Sequence, residues 1–298
     1  MALPGWLSPT RLEARRLMRK MRRHGMREWK VVVGNGTVHG WIGNGPPERP
    51  LVLLQGFGGS ALWQWHQQVR AFSRDFQLFL PNLFFFGDSS SKMTDRSLEF
   101  QAEAVLQMMD RFGVDTFDLG GLSYGGLVAF QLAHDHPDRV RKLVITASPG
   151  PVMTRGDFDA MLGRFGVGTI DELFLPENPD GVRRLIEVAW HKPMWTPRFA
   201  LADAHKRLFT QYVEEKGQLL AHLSRLIDDP ATAERTIPHE TLLVWGTHDP
   251  IFPLDVGHRL RDRLGDRAAL HVIDGTAHCP NIERHREWNQ IVLPFLNT

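Results

Sequence analysis

The chain has 298 residues, of which 42% are hydrophobic and 23% charged, a composition typical of a folded protein with a large core. Its 35 Lys and Arg balance 34 Asp and Glu, so no overall field favours a nucleic-acid partner. The single cysteine, Cys279, excludes an internal disulfide and a two-thiolate zinc site. Because no apolar run spans a bilayer and no secretory signal is recognisable, we expect a cytoplasmic protein.

The amino-terminal segment differs from the rest in charge. Residues 1–30 hold nine Lys and Arg against two Asp and Glu, whereas the remaining residues are net acidic. From Arg11 to Arg23 apolar residues recur at helical spacings, which predicts a basic amphipathic helix within an arm of residues 1–25. Two interpretations stay open. The helix folds onto an acidic face of its own chain, or residues 11–23 make weak peripheral contact with an anionic membrane.

The next part of the chain alternates strands with helices. Val31–Val33 and Val38–Trp41 flank the turn Gly34-Asn35-Gly36 and predict a β-hairpin. Buried strands are then predicted at 51–54, 77–80, 117–122 and 140–147, and amphipathic helices at 62–73, 97–112 and 124–134. Continuous apolar strands separated by helices predict an α/β protein with a mostly parallel sheet flanked by helices.

The alternation stops after residue 150 and resumes near residue 233. The intervening segment shows helical patterns at 183–190, 200–215 and 218–227 and no strand of the earlier type. Strands are again predicted at 241–245 and 270–273, with helices at 254–264 and 282–296. The sequence therefore predicts a sheet domain of residues 26–150 and 233–298, interrupted by an inserted helical cap of residues 151–232.

A serine lies at the sharpest turn signal of the chain. The motif Gly121-Leu122-Ser123-Tyr124-Gly125 stands between a buried strand and a helix, the context in which G-x-S-x-G forms a nucleophile elbow. Such a turn raises the serine hydroxyl above the sheet, and the flanking glycines let strand and helix approach each other. We therefore predict Ser123 as a nucleophile.

A serine hydroxyl needs a histidine to take its proton and a carboxylate to fix the histidine tautomer. Asp249 follows the predicted strand at 241–245, and His278 follows the strand at 270–273, in the order Ser, Asp, His. Parallel strands bring their carboxyl ends to one sheet edge, so these three side chains are expected to meet there. His248 is the alternative base, but His278 has the strand context.

Backbone N–H groups near the serine complete the predicted site. The stretch Gln55-Gly56-Phe57-Gly58-Gly59 directly follows the first parallel strand, and its glycines allow an N–H to point into a cavity. We predict the N–H groups of Phe57 and Tyr124 as an oxyanion hole.

Together these motifs resemble the α/β-hydrolase family over about residues 30–298. The stretch Pro81-Asn82-Leu83-Phe84-Phe85-Phe86-Gly87-Asp88-Ser89 is similar to a branch with plant esterase-like proteins and monoacylglycerol lipases. Gln55 stands where that family usually has a histidine. The resemblance implies an α/β-hydrolase fold and a serine hydrolase that cleaves a small hydrophobic carboxylic ester through an acyl-enzyme, without cofactor or metal.

The fold and the triad leave other activities open. The same residues serve carbon–carbon bond hydrolysis of a diketone-like ring-cleavage product, perhydrolysis or acyl transfer, and a non-catalytic ligand receptor is a further class. Phe85, Trp190 and Trp195 are the predicted substrate-pocket residues, because aromatic side chains near the elbow and in the cap suit an apolar ligand. Cys279 is expected to be an inert, packed thiol. The sequence does not predict the oligomeric state.

Overall fold

The computed structural model describes residues 8–298, so the first seven residues of the predicted arm lie outside the described residues. Within that range nine strands form one sheet. The strands are β1 (Arg27–Val33), β2 (Gly36–Ile42), β3 (Pro50–Leu54), β4 (Gln77–Pro81), β5 (Ser90–Ser91), β6 (Phe117–Leu122), β7 (Val140–Thr146), β8 (Thr241–Gly246) and β9 (Ala268–Ile273). The predicted hairpin is formed by β1 and β2.

Helices cover the sheet and fill the insertion between β7 and β8. They are α1 (Pro9–Arg23), α2 (Ala61–Trp65), α3 (Val69–Phe72), α4 (Leu98–Arg111), α5 (Tyr124–Asp135), α6 (Arg155–Phe165), α7 (Ile170–Phe174), α8 (Pro179–Ala189), α9 (Arg198–Ala204), α10 (Val213–Leu226), α11 (Pro230–Glu234), α12 (Leu254–Leu264), α13 (Pro280–Glu283) and α14 (His285–Asn297). The chain thus has the predicted α/β architecture.

The strand order explains where the predicted site lies. The order is β1-β2-β4-β3-β6-β7-β8-β9, with β5 beside β2. The pairs β1·β2 and β2·β4 are antiparallel, and the pairs from β4 to β9 are all parallel. Because β6, β7, β8 and β9 are neighbours, the loops after β6, β8 and β9 open on one edge of the sheet.

Alternate residues of the central strands face opposite sides and build two cores. Leu51 and Leu53 pack with α2, α3 and α14, whereas Val52 and Leu54 pack with α4 and α5. Because both faces of β3 are covered by helices, all of its residues are buried and apolar.

Helix α1 packs on the same face as α2, α3 and α14 and is not a free arm. Ser8 caps its amino terminus, Met21 is buried beside Trp41 and Trp65, and Leu17 is buried against the interior as well. The apolar stripe of the helix is therefore used inside the molecule. Within residues 8–298 two of its arginines form ion pairs. The ion pairs of Arg16 with Glu13 and of Arg22 with Glu28 are local and exposed.

Three predicted helices are broken in the structure, and one of them, the segment 282–296, is divided between α13 and α14 at Arg284. The segment 62–73 forms α2 and α3, separated by a turn at 66–68. The segment 200–215 forms α9, a π-helical turn at His205–Phe209 and the start of α10, because Tyr212 adopts a positive φ of 55°. Helical periodicity alone does not show such interruptions, since the apolar spacing continues across them.

Residues 8–298 contain neither a membrane-spanning helix nor a metal-binding cluster of side chains. None of the described helices has both the length and the apolar character needed to cross a bilayer. The same residues contain no group of three or more His, Cys, Asp or Glu side chains placed to hold a metal ion.

Candidate active site

Ser123 lies in a strained turn between β6 and α5. Its φ of 54° and ψ of −118° are rare for a residue with a side chain, and its N–H donates to the Thr146 carbonyl at 2.9 Å. A Cβ atom on Gly121 would lie 2.2 Å from the Gly125 carbonyl oxygen, and one on Gly125 would lie 2.5 Å from the Gln55 carbonyl oxygen. Only glycine fits at both positions, which explains why glycine stands two residues before and two residues after Ser123.

Asp249 and His278 are brought together by the loops after β8 and β9. Asp249 Oδ2 is 2.9 Å from His278 Nδ1, and both side chains are buried. The other carboxylate oxygen accepts the N–H groups of Ile251 at 2.9 Å and Phe252 at 3.1 Å. The carboxylate is thus held on both oxygens, and its orientation toward the imidazole is fixed.

The alternative base, His248, points elsewhere. Its side chain is exposed, its ring lies 4.0 Å from the His191 ring, and its Nδ1 is 2.8 Å from Thr247 Oγ1. His278, in contrast, lines a cavity together with Ser123. The geometry therefore favours His278 over His248 as the partner of the serine.

The predicted oxyanion donors, Phe57 and Tyr124, flank the serine. Tyr124 is the first residue of α5, where a backbone N–H has no acceptor within the helix and the helix dipole favours an anion. Gly56 donates its N–H to Gln64 Oε1 at 2.6 Å, which fixes the loop before Phe57. Gln55 donates to the Pro81 carbonyl at 2.9 Å and accepts the Leu83 N–H at 3.0 Å. A glutamine thus supports this loop where the family usually has a histidine.

Two apolar cavities meet at Ser123, Phe57 and Phe174. The small cavity has a volume of about 110 Å³ and is lined by apolar side chains of α5, α6 and α10, among them Phe130, Met161 and Leu220. The large cavity has a volume of about 530 Å³ and is lined by His278, by side chains of α1 and α2, and by Leu185, Ile186 and Trp190. Of the two cavities, His278 lines only the large one.

Comparison with known proteins places the chain in a family. The family model for the alpha/beta hydrolase fold matches residues 49–285. The chain belongs to the α/β-hydrolase family. It is 28% identical over 258 residues to 2-hydroxymuconate semialdehyde hydrolase from Pseudomonas sp. (strain CF600), covering 83% of this chain and 86% of that protein.

Solved structures of α/β-hydrolases share the fold. A putative lipase from Acinetobacter baumannii AYE superposes with a TM-score of 0.81 at 22% identity, covering 95% of this chain and 94% of the other. The 2-hydroxy-6-oxo-6-phenylhexa-2,4-dienoate hydrolase from Rhodococcus sp. strain RHA1 superposes with a TM-score of 0.73 at 24% identity, covering 92% and 99%.

The three predicted pocket residues of this α/β-hydrolase have different positions. Trp190 lines the large cavity, as expected. Trp195 is 81% exposed and lines neither cavity. Phe85 is fully buried with a φ of 73°. Its ring contacts Arg96 and Tyr212, and it lines a third cavity, shared with Phe57, instead of either cavity of Ser123. Of the three, only Trp190 therefore lies beside a cavity of Ser123, and the roles of Trp195 and Phe85 stay predictions.

Several contributors to the site were not predicted. Glu283 accepts the N–H of Ala277, next to the candidate base, at 2.6 Å and the N–H of His191 in the cap at 2.8 Å. Met161 and Leu220 line the small cavity. The apolar spacing of residues 218–227 indicated a buried helix face, but it did not show that the face borders Ser123.

The buried thiol of Cys279 lines the large cavity beside His278. Burial raises its pKa, and the nearby carboxylates of Asp249 and Glu283 raise it further. A protonated thiol is a poor nucleophile, so the geometry supports the expectation of an inert Cys279.

Proposed function

We propose that this α/β-hydrolase cleaves a carboxylic ester that is apolar on both sides of the scissile bond. The observation that carries this proposal is the position of Ser123 at the junction of two apolar cavities of unequal size. An ester has two substituents on its carboxyl group, and each cavity can take one of them.

In the proposed mechanism Ser123 Oγ attacks the ester carbonyl while His278 Nε2 accepts its proton. Asp249 keeps the proton of His278 on Nδ1, and the N–H groups of Phe57 and Tyr124 stabilise the tetrahedral oxyanion. His278 then gives the proton to the departing alcohol, and the acyl group stays on Ser123. Water, deprotonated by His278, attacks the acyl-enzyme and releases the acid.

The position of His278 assigns the two halves of the ester. The leaving oxygen must lie near the imidazole that protonates it, and His278 lines the large cavity only. The alcohol part therefore occupies the large cavity, and the acyl part occupies the small cavity among Phe130, Met161 and Leu220. This assignment predicts a limited acyl length and tolerance of a bulky, apolar alcohol.

Carbon–carbon bond hydrolysis is the second candidate, because a relative named for that chemistry is 28% identical to this chain. A ring-cleavage acid would bring a carboxylate into the cavities, where it needs a cation. Arg235 lines the small cavity but is paired with Glu99 at 2.8 Å. Lys192 is exposed at the edge of the large cavity. This charge arrangement favours the ester over the dicarboxylate-type substrate.

The first experiment compares substrates on the wild type and on Ser123→Ala. We expect hydrolysis of esters with a short acyl group and a bulky alcohol, and loss of activity and of fluorophosphonate labelling in Ser123→Ala by several orders of magnitude. Faster turnover of a dienoate ring-cleavage acid than of every ester would favour the second candidate. Labelling of Ser123→Ala at the wild-type rate would refute the nucleophile.

The second experiment tests which cavity holds which half. Trp190→Ala should lower kcat/KM about tenfold or more for bulky alcohols, since one lost apolar contact is worth about 1 to 3 kcal/mol. Met161→Ala should instead shift the preferred acyl group toward longer chains. Trp195→Ala, which touches neither cavity, is the matched control and should change neither profile. An acyl-length shift in Trp190→Ala with no alcohol effect would reverse the assignment.

A further inference from the structure

The outer face of α1 carries a row of unpaired cations. Arg15, Arg19 and Arg23 follow one another at intervals of four residues, so they lie along one side of the helix, and all three are exposed. None of the three takes part in an ion pair within residues 8–298, unlike Arg16 and Arg22. Fixed positive charge thus faces the solvent along this helix.

Large apolar side chains are exposed on the neighbouring elements. Met194 is 85% exposed, Trp195 is 81% exposed and Phe199 is 57% exposed, and Leu12 on α1 itself is 52% exposed. Exposed side chains of this size cost free energy in water, and a group of them marks an interaction surface. Three of the four lie within six residues of the chain, in α9 and the segment before it.

Hydrogen bonds and a shared cavity connect the two parts of the chain that carry these features. Ser8 Oγ donates to Asp203 Oδ2 at 2.5 Å, and the Thr10 N–H donates to the same oxygen at 3.0 Å. Phe199 lies one helical turn before Asp203 on α9. Glu13 of α1 and Met194 line the same large cavity. We call the set Leu12, Arg15, Arg19, Arg23, Met194, Trp195 and Phe199 the docking surface.

The contact between α1 and α9 depends on the buried carboxylate of Asp203. Although burial opposes ionisation of Asp203, hydrogen bonds from Ser8 and Thr10 and the side chain of Arg207 lower its pKa to about 2. The carboxylate therefore stays charged at neutral pH, and the cations and apolar side chains on either side of it keep a fixed relative position.

We propose that the docking surface binds the headgroup region of a bilayer that contains anionic lipid. Arginines are attracted by lipid phosphates and carboxylates, while a tryptophan ring with its neighbouring apolar side chains suits the boundary between headgroups and acyl chains. Leu17 and Met21 are buried in the core, so the apolar stripe of α1 is not what enters the lipid. The apolar anchor is supplied instead by the cap.

The orientation of the large cavity extends this inference, and this step rests on the proposed function. Lys192 and Met194 line the large cavity and are themselves exposed, so the cavity reaches the protein surface next to Met194 of the docking surface. An apolar ester dissolved in the bilayer would then reach Ser123 without crossing water.

The test is sedimentation with vesicles of phosphatidylcholine that contain phosphatidylglycerol, compared with phosphatidylcholine alone. We expect the wild type to bind the anionic vesicles and to lose binding as salt is raised. Arg15→Gln/Arg19→Gln/Arg23→Gln should lower the partition coefficient roughly 100-fold, at about fivefold for each arginine. Trp195→Ser/Phe199→Ser should lower it roughly tenfold or more.

Matched controls remove the same charge or the same kind of side chain elsewhere. Arg111→Gln/Arg261→Gln/Arg263→Gln alters α4 and α12, which pack on the opposite face of the sheet from α1. Val32→Ser removes an apolar side chain that is 61% exposed on β1. Both controls should bind as the wild type does. Equal loss in the arginine control, or no loss in Trp195→Ser/Phe199→Ser, would overturn the proposal.

Sedimentation requires no turnover, so its result is independent of the proposed ester hydrolysis. All variants in this set leave both cavities of Ser123 unchanged, and their activity on a soluble short-chain ester reports correct folding. A wild type that does not sediment with anionic vesicles, yet hydrolyses the soluble ester, would reject the docking surface and leave the proposed function in place.

Discussion

Asp249→Asn separates the tautomer-fixing role of the carboxylate from its structural role. In the wild type one carboxylate oxygen accepts two backbone N–H groups, from Ile251 and Phe252, and the other faces His278 Nδ1 at 2.9 Å. An asparagine must keep its oxygen toward the two N–H donors, because the reverse orientation would set its NH₂ group against them.

This constraint turns the asparagine NH₂ group toward His278 Nδ1. Nδ1 then becomes an acceptor, the ring proton moves to Nε2, and the imidazole loses the lone pair that accepts the proton of Ser123. We expect kcat to fall about 10⁴-fold, which corresponds to about 5 kcal/mol of lost transition-state stabilisation. The thermal unfolding midpoint should change little, since both backbone hydrogen bonds are kept.

The assay is steady-state hydrolysis of a p-nitrophenyl ester, supported by the rate of fluorophosphonate labelling. Asp274→Asn is the matched control, because Asp274 is an exposed carboxylate in the loop before His278 and accepts only from Thr247 Oγ1 at 3.1 Å. The control should stay within about threefold of the wild type. If Asp249→Asn stayed within about tenfold of the wild type, the assignment of Asp249 as the orienting acid would be wrong.

Three further predictions concern single residues. Gly121→Ala should destabilise the fold by about 3 kcal/mol or more, because its Cβ would lie 2.2 Å from the Gly125 carbonyl oxygen, whereas Gly163→Ala, with open space around it, should be neutral or stabilising in a denaturant titration. Burial, with repulsion from Lys20, lowers the pKa of His66 to about 4 from 6.5. Between about pH 6.5 and pH 4 the His66 side chain is therefore protonated in the unfolded chain but neutral in the folded chain. The free energy of unfolding should fall by up to about 3 kcal/mol as the pH is lowered through this range. In His66→Gln this part of the pH dependence of the free energy of unfolding should disappear. An unchanged pH dependence would show that His66 is not its cause. Cys279 should react with iodoacetamide at about pH 8 at least 100-fold more slowly in the folded protein than in guanidinium, because burial raises its pKa; comparable rates would show an accessible thiolate.

The sequence predicted the site residues whose positions follow from the order of the parallel strands. Ser123, Asp249 and His278 each follow a buried parallel strand, and the sheet rule that carboxyl ends of parallel strands share an edge predicts their approach without any knowledge of loop conformation. The structure brings Asp249 and His278 to hydrogen-bond distance and lines one cavity with Ser123 and His278. The α/β fold class, predicted from the alternation of apolar strands and helices, is confirmed.

The sequence was least informative in the cap. Trp195 was grouped with Trp190 because both are aromatic and close in sequence, but only Trp190 adjoins the cavity. Burial of an aromatic residue in a loop depends on the direction of its side chain, which no periodicity encodes. The break near Tyr212 was missed for a related reason, since a positive φ leaves no trace in the spacing of apolar residues.

The insertion of the cap between β7 and β8 also determines the order in which the sheet can assemble. The strands β3, β6 and β7, which surround Ser123, are paired neighbours that precede the cap, whereas β8 pairs with β7 only after the whole segment 147–240 has been closed into a loop. The entropy of closing a loop grows slowly with length, at about 0.6 kcal/mol per doubling, so the native state tolerates a large cap. Pairing of strands so distant in sequence is nevertheless slow. During synthesis and folding the proposed nucleophile therefore precedes its proposed acid and base, and Ser123 would gain its proton acceptor only when the last two strands have joined the sheet.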